Sequence, residues 1–175
     1  MGIRKILNFI TIPGVIIHEY GHKLFCDLTK VRVKKVCYFR FGNPVGYVIH
    51  EKPKNFFHLL LIVFGPFIFG TFFAFVCYLY SYLYKGEIAE AIFIWLGFSA
   101  AYNSFPSDAD AKVLWEETNR HIKNNILAII GYPFSLFIWL QNKLSYIYFD
   151  VIYAVLIYLI VYQKLLNITM LSFFA

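Results

Sequence analysis

Long apolar runs separated by short charged or turn-rich segments set the pattern of this chain. Leu59–Tyr84 carries no charged residue, and neither do Ala91–Ser107 and Asn124–Asn142. A fourth run extends from about Tyr146 to Gln163, interrupted by Asp150 near its start. A helix that crosses a bilayer needs ~20 mostly apolar residues; the first run exceeds that and the others approach it. Ile6–Ile17 is too short to cross alone and does so if His18–Phe25 continues the same helix. Between Asp27 and Phe56 the pattern changes. Val31-Arg32-Val33 alternates, and Val36–Phe41 and Tyr47–Ile49 are rich in β-branched and aromatic residues. Gly42-Asn43-Pro44 supplies a turn between them, so a small β-hairpin at the membrane surface is expected. Ser107 followed by Asp110 fits the capping pattern of an amphipathic helix reaching about Lys123. The pattern as a whole predicts an all-α polytopic membrane protein built as a single membrane-embedded domain. Residues 1–123 form its core and residues 124–175 add about two further transmembrane helices.

Composition agrees. The chain is 60% hydrophobic, 21% aromatic and 15% charged, whereas charged residues make up about a quarter of a soluble domain. Cys26, Cys37 and Cys77 form no disulfide framework. Arg4-Lys5 before an apolar run resembles the start of a secretory signal, but no small-residue cleavage site follows. The net charge of +6 is uneven. Lys30, Arg32, Lys34, Lys35, Arg40, Lys52 and Lys54 crowd the segment between Asp27 and Phe56. Lys/Arg excess marks the cytoplasmic side of a membrane, which puts this loop inside and the Lys85–Glu90 turn outside. Propagated along the chain, Lys23, Lys112, Arg120, Lys123 and Lys164 fall inside, and Arg4, Lys5 and Lys143 outside. Attraction to anionic headgroups accounts for such a flank, so no nucleic-acid partner is needed. The sequon Asn167-Ile168-Thr169 falls inside in this topology.

One stretch carries chemistry. His18-Glu19-Tyr20-Gly21-His22 reads H-E-x-x-H. Residues four apart share a helix face, so both imidazoles can address one metal ion while Glu19 reaches a water beside it, the arrangement of zinc hydrolases. The plain alternative is a polar helix end facing water. Within an apolar segment that alternative weakens, because a carboxylate there costs ~2.5–3.5 kcal/mol and a bound cation offsets much of it. A catalytic zinc takes three protein ligands. Asn103–Asp110 offers Asp108 and Asp110, although the same residues also read as a helix start. Cys26, four residues after His22, has ligand spacing too, with packing as its plainer role. His50 and His58 read as interfacial, and His121 as the end of the surface helix.

In these motifs the chain resembles the site-2 protease family of intramembrane zinc metalloproteases. H-E-x-x-H matches the zinc motif of that family's first core helix, Gly65-Pro66 its Gly-Pro element, and Asn103-x-x-Pro106 with a following aspartate its third core helix. The likeness covers roughly Ile6–Leu114. Asp108 and Asp110 are each followed by alanine where the family usually has glycine, and Phe69 stands where it often has asparagine. The resemblance implies Zn2+ held by His18, His22 and Asp110, with Asp108 capping the helix. It also implies Glu19 as general base, Asn103 as an added hydrogen-bond donor, and Gly65-Pro66 loosening the second segment. The expected substrate is a membrane protein, single-span, cleaved near the cytoplasmic face of a prokaryotic plasma membrane. Two other functions suit the same residues: a surface-acting endopeptidase of the prenyl-protease type, and a non-catalytic scaffold or chaperone with a structural metal.

Overall fold

The computed structural model describes residues 3–173, with the side chains of residues 5 and 165–173 excepted. The side assignment of Lys5 and the sequon at 167–169 lie outside the described side chains. The chain is mostly helical with one small antiparallel sheet. Among the described residues a single helix, Phe56–Leu83, is long and apolar enough to cross a membrane; the bent pair Ile126–Ile147 and Phe149–Lys164 makes a second if taken as one span.

The expected continuous helix from Ile6 to Phe25 is not formed. α1 (Ile3–Ile10) and α2 (Ile12–Leu28) break at Thr11. Pro13 lacks the N–H that would bond to Phe9, and its ring crowds that carbonyl. The break is held from α4 (Ile88–Tyr102): Trp95 Nε1 donates to Ile10 O at 2.9 Å, and Asn103 Nδ2 to Thr11 O at 3.2 Å. α1 then runs back along α4. Asn8 accepts from Tyr102 Oη at 3.0 Å, and Arg4 reaches Asp150 at 2.9 Å as well as Ser145. His18 on α2 also meets the end of α4, at Asn103. The first two helices are therefore the arms of a V with its apex at Thr11, and both arms point toward the C-terminal end of α4.

β1 (Val33–Cys37) and β2 (Tyr47–His50) pair antiparallel, with Val36 opposite Val48 and Cys37 opposite Tyr47. The Asn43–Pro44 peptide in their turn is cis. α3 (Phe56–Leu83) follows, started by Asn55, whose side chain accepts from Phe57 N. Its 28 residues span about 42 Å, more than the ~30 Å of a bilayer core. It runs unbroken through Pro66, and Gly65 beside it packs against Gly21 and Phe25 of α2. α4 stops at Tyr102, short of the expected Ser107, since Pro106 cannot donate to a continuing turn. α5 (Asp108–His121) starts at Ser107 with a full capping box to Asp110.

The segment Asn124–Asn142 does not form an independent span. A 3₁₀ turn, Ile126–Ile130, leads into α6 (Gly131–Leu144), which lies antiparallel on α5. Gly131 abuts Thr118 and Phe56, while Asn142 Nδ2 donates to Pro106 O at 3.1 Å. The rings of Tyr132 and Trp139 close on Trp115 between those ends. α7 (Phe149–Phe173) leaves at 90° from the preceding helical stretch, with Tyr148 in the left-handed region at the bend. Side chains of α3 join both apolar clusters: Phe56, Leu59 and Val63 pack on α5 and α6, and Ala74 and Tyr78 on α4 and α7.

This arrangement corrects the charge-based sidedness. Arg4 and Lys143 line one cavity together with Asp108, rather than lying across the molecule from it. Tyr162 donates to Glu90 Oε1 at 2.9 Å, which places the Lys164 end of α7 beside the Lys85–Glu90 turn instead of opposite it.

Candidate metal centre

His18 and His22 sit one turn apart on the inner face of α2, with ring centroids 4.9 Å apart. Helix spacing put them on one face; contacts from other elements aim them. His18 Nδ1 donates to Asn103 O at 2.8 Å, and His22 Nδ1 to Ile62 O at 2.9 Å. A carbonyl only accepts, so each Nδ1 carries its hydrogen and each Nε2 is left as the ligand atom. His22 Nε2 faces Asp110 Oδ1 at 3.5 Å. One ligand atom from each of His18, His22 and Asp110 lies within 4.8 Å of the other two. Ligands of a tetrahedral zinc with bonds of 2.0–2.1 Å stand about 3.3 Å apart, so shifts of an ångström or so complete the site. Two imidazoles and a carboxylate suit zinc and other divalent first-row metals.

Asp110 serves two structures at once. Its Oδ2 accepts from Ser107 N and Ser107 Oγ, both at 2.7 Å, closing the cap of α5, while Oδ1 faces His22. The helix-start and ligand readings are thus compatible, because the two oxygens divide the work. Burial by itself would raise the Asp110 carboxyl, but His22, then His18 and the Ser107 hydrogen bond, outweigh it and hold the group below the usual carboxylate range. Asp108 does neither job. It is exposed in the first turn, Ser107 being the cap, and it lines the separate cavity with Arg4 and Lys143.

Glu19 and His22 are each only 8% exposed. Both border a cavity of about 390 Å³, which His18 and Asp110 share, within the size range of small-ligand sites. The opposite wall is the hairpin: Pro44, Val45, Gly46, Tyr47 and Val48, then His50. Gly46 lies directly on Glu19, since a Cβ at that position would come within 2.6 Å of Glu19 Cγ. On the helix side, Gly21 allows α2 to press on α3; a Cβ there would meet Pro66 Cα at 2.7 Å. His50, read from sequence as interfacial, also borders the cavity, with Nδ1 against Glu51 O at 2.7 Å. Its only advance signal was its position at the end of a strand. Asn103 contributes its backbone carbonyl to His18, while its side chain ties Ser99 O to Thr11 O; that amide is a helix tie and no donor toward the cavity. Cys26 is fully buried and is not one of the grouped ligand atoms. His121 packs against Phe56.

No protein-family model matches the chain, and neither curated proteins nor solved structures give a match.

Proposed function

We propose that this protein is a membrane-embedded zinc metalloendopeptidase, similar in its centre to site-2 proteases. The supporting observation is convergence: α2, the α4–α5 junction and α3 bring two oriented imidazoles and one carboxylate together, with Glu19 beside them in one cavity. His18, His22 and Asp110 hold the ion. When bound, zinc supplies Lewis acidity, lowering the pKa of bound water and polarising a carbonyl. Glu19 accepts a proton from water at its carboxylate and returns it to the departing amine nitrogen. β2 borders the cavity, so an extended substrate segment adds to the sheet edge, with its carbonyls free of helical hydrogen bonds. α3 crosses the bilayer, and the V of α1 and α2 enters and returns on the hairpin side. Arg4 and Lys143 then join the basic face, leaving Lys85 and Lys164 as the described cations at the far end. That charge excess supports a centre on the cytoplasmic side.

The test is cleavage of a tethered single-span substrate by zinc-loaded protein. Glu19→Gln should lower the rate by about 10²–10⁴-fold with zinc content unchanged. Wild-type cleavage by that variant, or absence of bound metal in the wild type, overturns the proposal. Retained biological activity in the variant would indicate the scaffold function, and cleavage of a prenylated peptide alone would indicate the surface-acting endopeptidase.

A further inference from the structure

We propose that Pro66 and Pro106 are positioning residues: each leaves one backbone carbonyl without its helical donor, and those two carbonyls set the rings of His22 and His18. The inference deepens the metalloendopeptidase reading and rests on it.

In an α-helix the carbonyl of residue i accepts from the N–H of residue i+4. For Ile62 that residue is Pro66, which has no N–H. α3 continues through the proline all the same, and Ile62 O accepts from His22 Nδ1 at 2.9 Å. Asn103 ends α4. Its 3₁₀ donor, at i+3, is Pro106, again without an N–H. Its α-helical donor, at i+4, is Ser107, whose N–H goes to Asp110 Oδ2 at 2.7 Å. Asn103 O accepts from His18 Nδ1 at 2.8 Å. The same substitution of donors thus occurs twice, once inside a helix and once at a helix end. Buried carbonyls need a partner, and at both places an imidazole provides it.

The consequence concerns the ligand atoms. With Nδ1 committed as a donor, Nε2 is the only nitrogen either ring can offer a metal, and a flipped ring forfeits its hydrogen bond. Carbonyl partners of this kind orient metal-binding histidines and raise their basicity. Gly21, one residue before His22, permits the close approach that the His22 contact requires. Pro66 acts through the hydrogen bond it omits.

The experiment compares wild type, Pro66→Ala and a chain with lactic acid at position 66, the full protein in lipid nanodiscs in each case. Alanine restores the N–H. Lactic acid has alanine's side chain on an ester and, like proline, no N–H. Zinc affinity, measured by chelator competition, should fall about 10–100-fold in Pro66→Ala and stay near wild type with lactic acid. In metal-free protein, 15N NMR of the imidazoles should report hydrogen on Nδ1 of both rings. Pro66→Ala should move His22 toward the Nε2–H form and leave His18 unchanged, whereas Pro106→Ala should move His18. Unchanged affinity and tautomer in Pro66→Ala, or equal weakening by alanine and lactic acid, overturns the inference. A wild type that binds no zinc overturns the metalloendopeptidase reading instead, and the metal-free tautomers still judge this one.

Discussion

Two clusters of titratable side chains lie on opposite ends of α5, and they are finished differently. At its C-terminal end Glu117 is buried and ion-paired: Lys52 approaches Oε1 at 2.8 Å and Arg120 approaches Oε2 at 2.6 Å. The acid is neutralised by cations whose own ends reach water, and the contact ties the hairpin–α3 connection to α5. At the N-terminal end Asp110 faces two imidazoles whose Nδ1 atoms are turned away to carbonyls. Their ligand atoms converge beside a cavity, and among the described residues no lysine or arginine borders that cavity. The first cluster pairs its acid with cations of the chain itself. The second has the donor set of a coordination sphere, which on the proposed function would take a cation from outside the chain. Burial and charge alone would rank the two alike; the direction of the lone pairs separates them.

The contrast can be broken most directly by truncating one member of each. His22→Ala should abolish stoichiometric zinc binding, read by metal analysis of the purified protein. Retention of zinc at wild-type affinity would remove the distinction drawn here. Gly46→Ala should lower turnover by about 10–100-fold with zinc content unchanged, because the new Cβ displaces Glu19 or the loop above it. Equal turnover would mean that the hairpin does not fix Glu19. Glu117→Ala has the smallest expected effect. It should cost about 1–2 kcal/mol of stability, since Lys52 and Arg120 remain solvated, and it should leave zinc affinity intact. A loss of zinc there would show that the two clusters are coupled through α5.

Short-range features were legible in the residues. His18 and His22 share a face because any helix places i and i+4 together. Ser107 and Asp110 form a capping box because both partners lie within one turn. The hairpin follows from a turn between two strand-forming runs. Apolar runs were a weaker guide. Asn124–Asn142 was read as a span, and Ile6–Phe25 as one on condition of a continuous helix, because hydropathy reports what a segment avoids and not what it packs against. The first folds into a V around Pro13 and the second lies along α5, while Phe9, Leu136 and Leu140 among their apolar side chains stay exposed. The relative placement of Arg4, Lys143 and Lys164 changes with these segments: the first two lie beside Asp108 and the third near the Lys85–Glu90 turn.

Glu19, the paired histidines and the prolines were fixed in kind and order by the chain itself, through helix periodicity and the missing N–H of proline. Tertiary packing decided which of the two aspartates turns toward the imidazoles, and which carbonyl each ring meets. Those contacts join residues 40 to 85 positions apart, and partners so distant are selected by the packing of whole helices, on which local periodicity has no bearing.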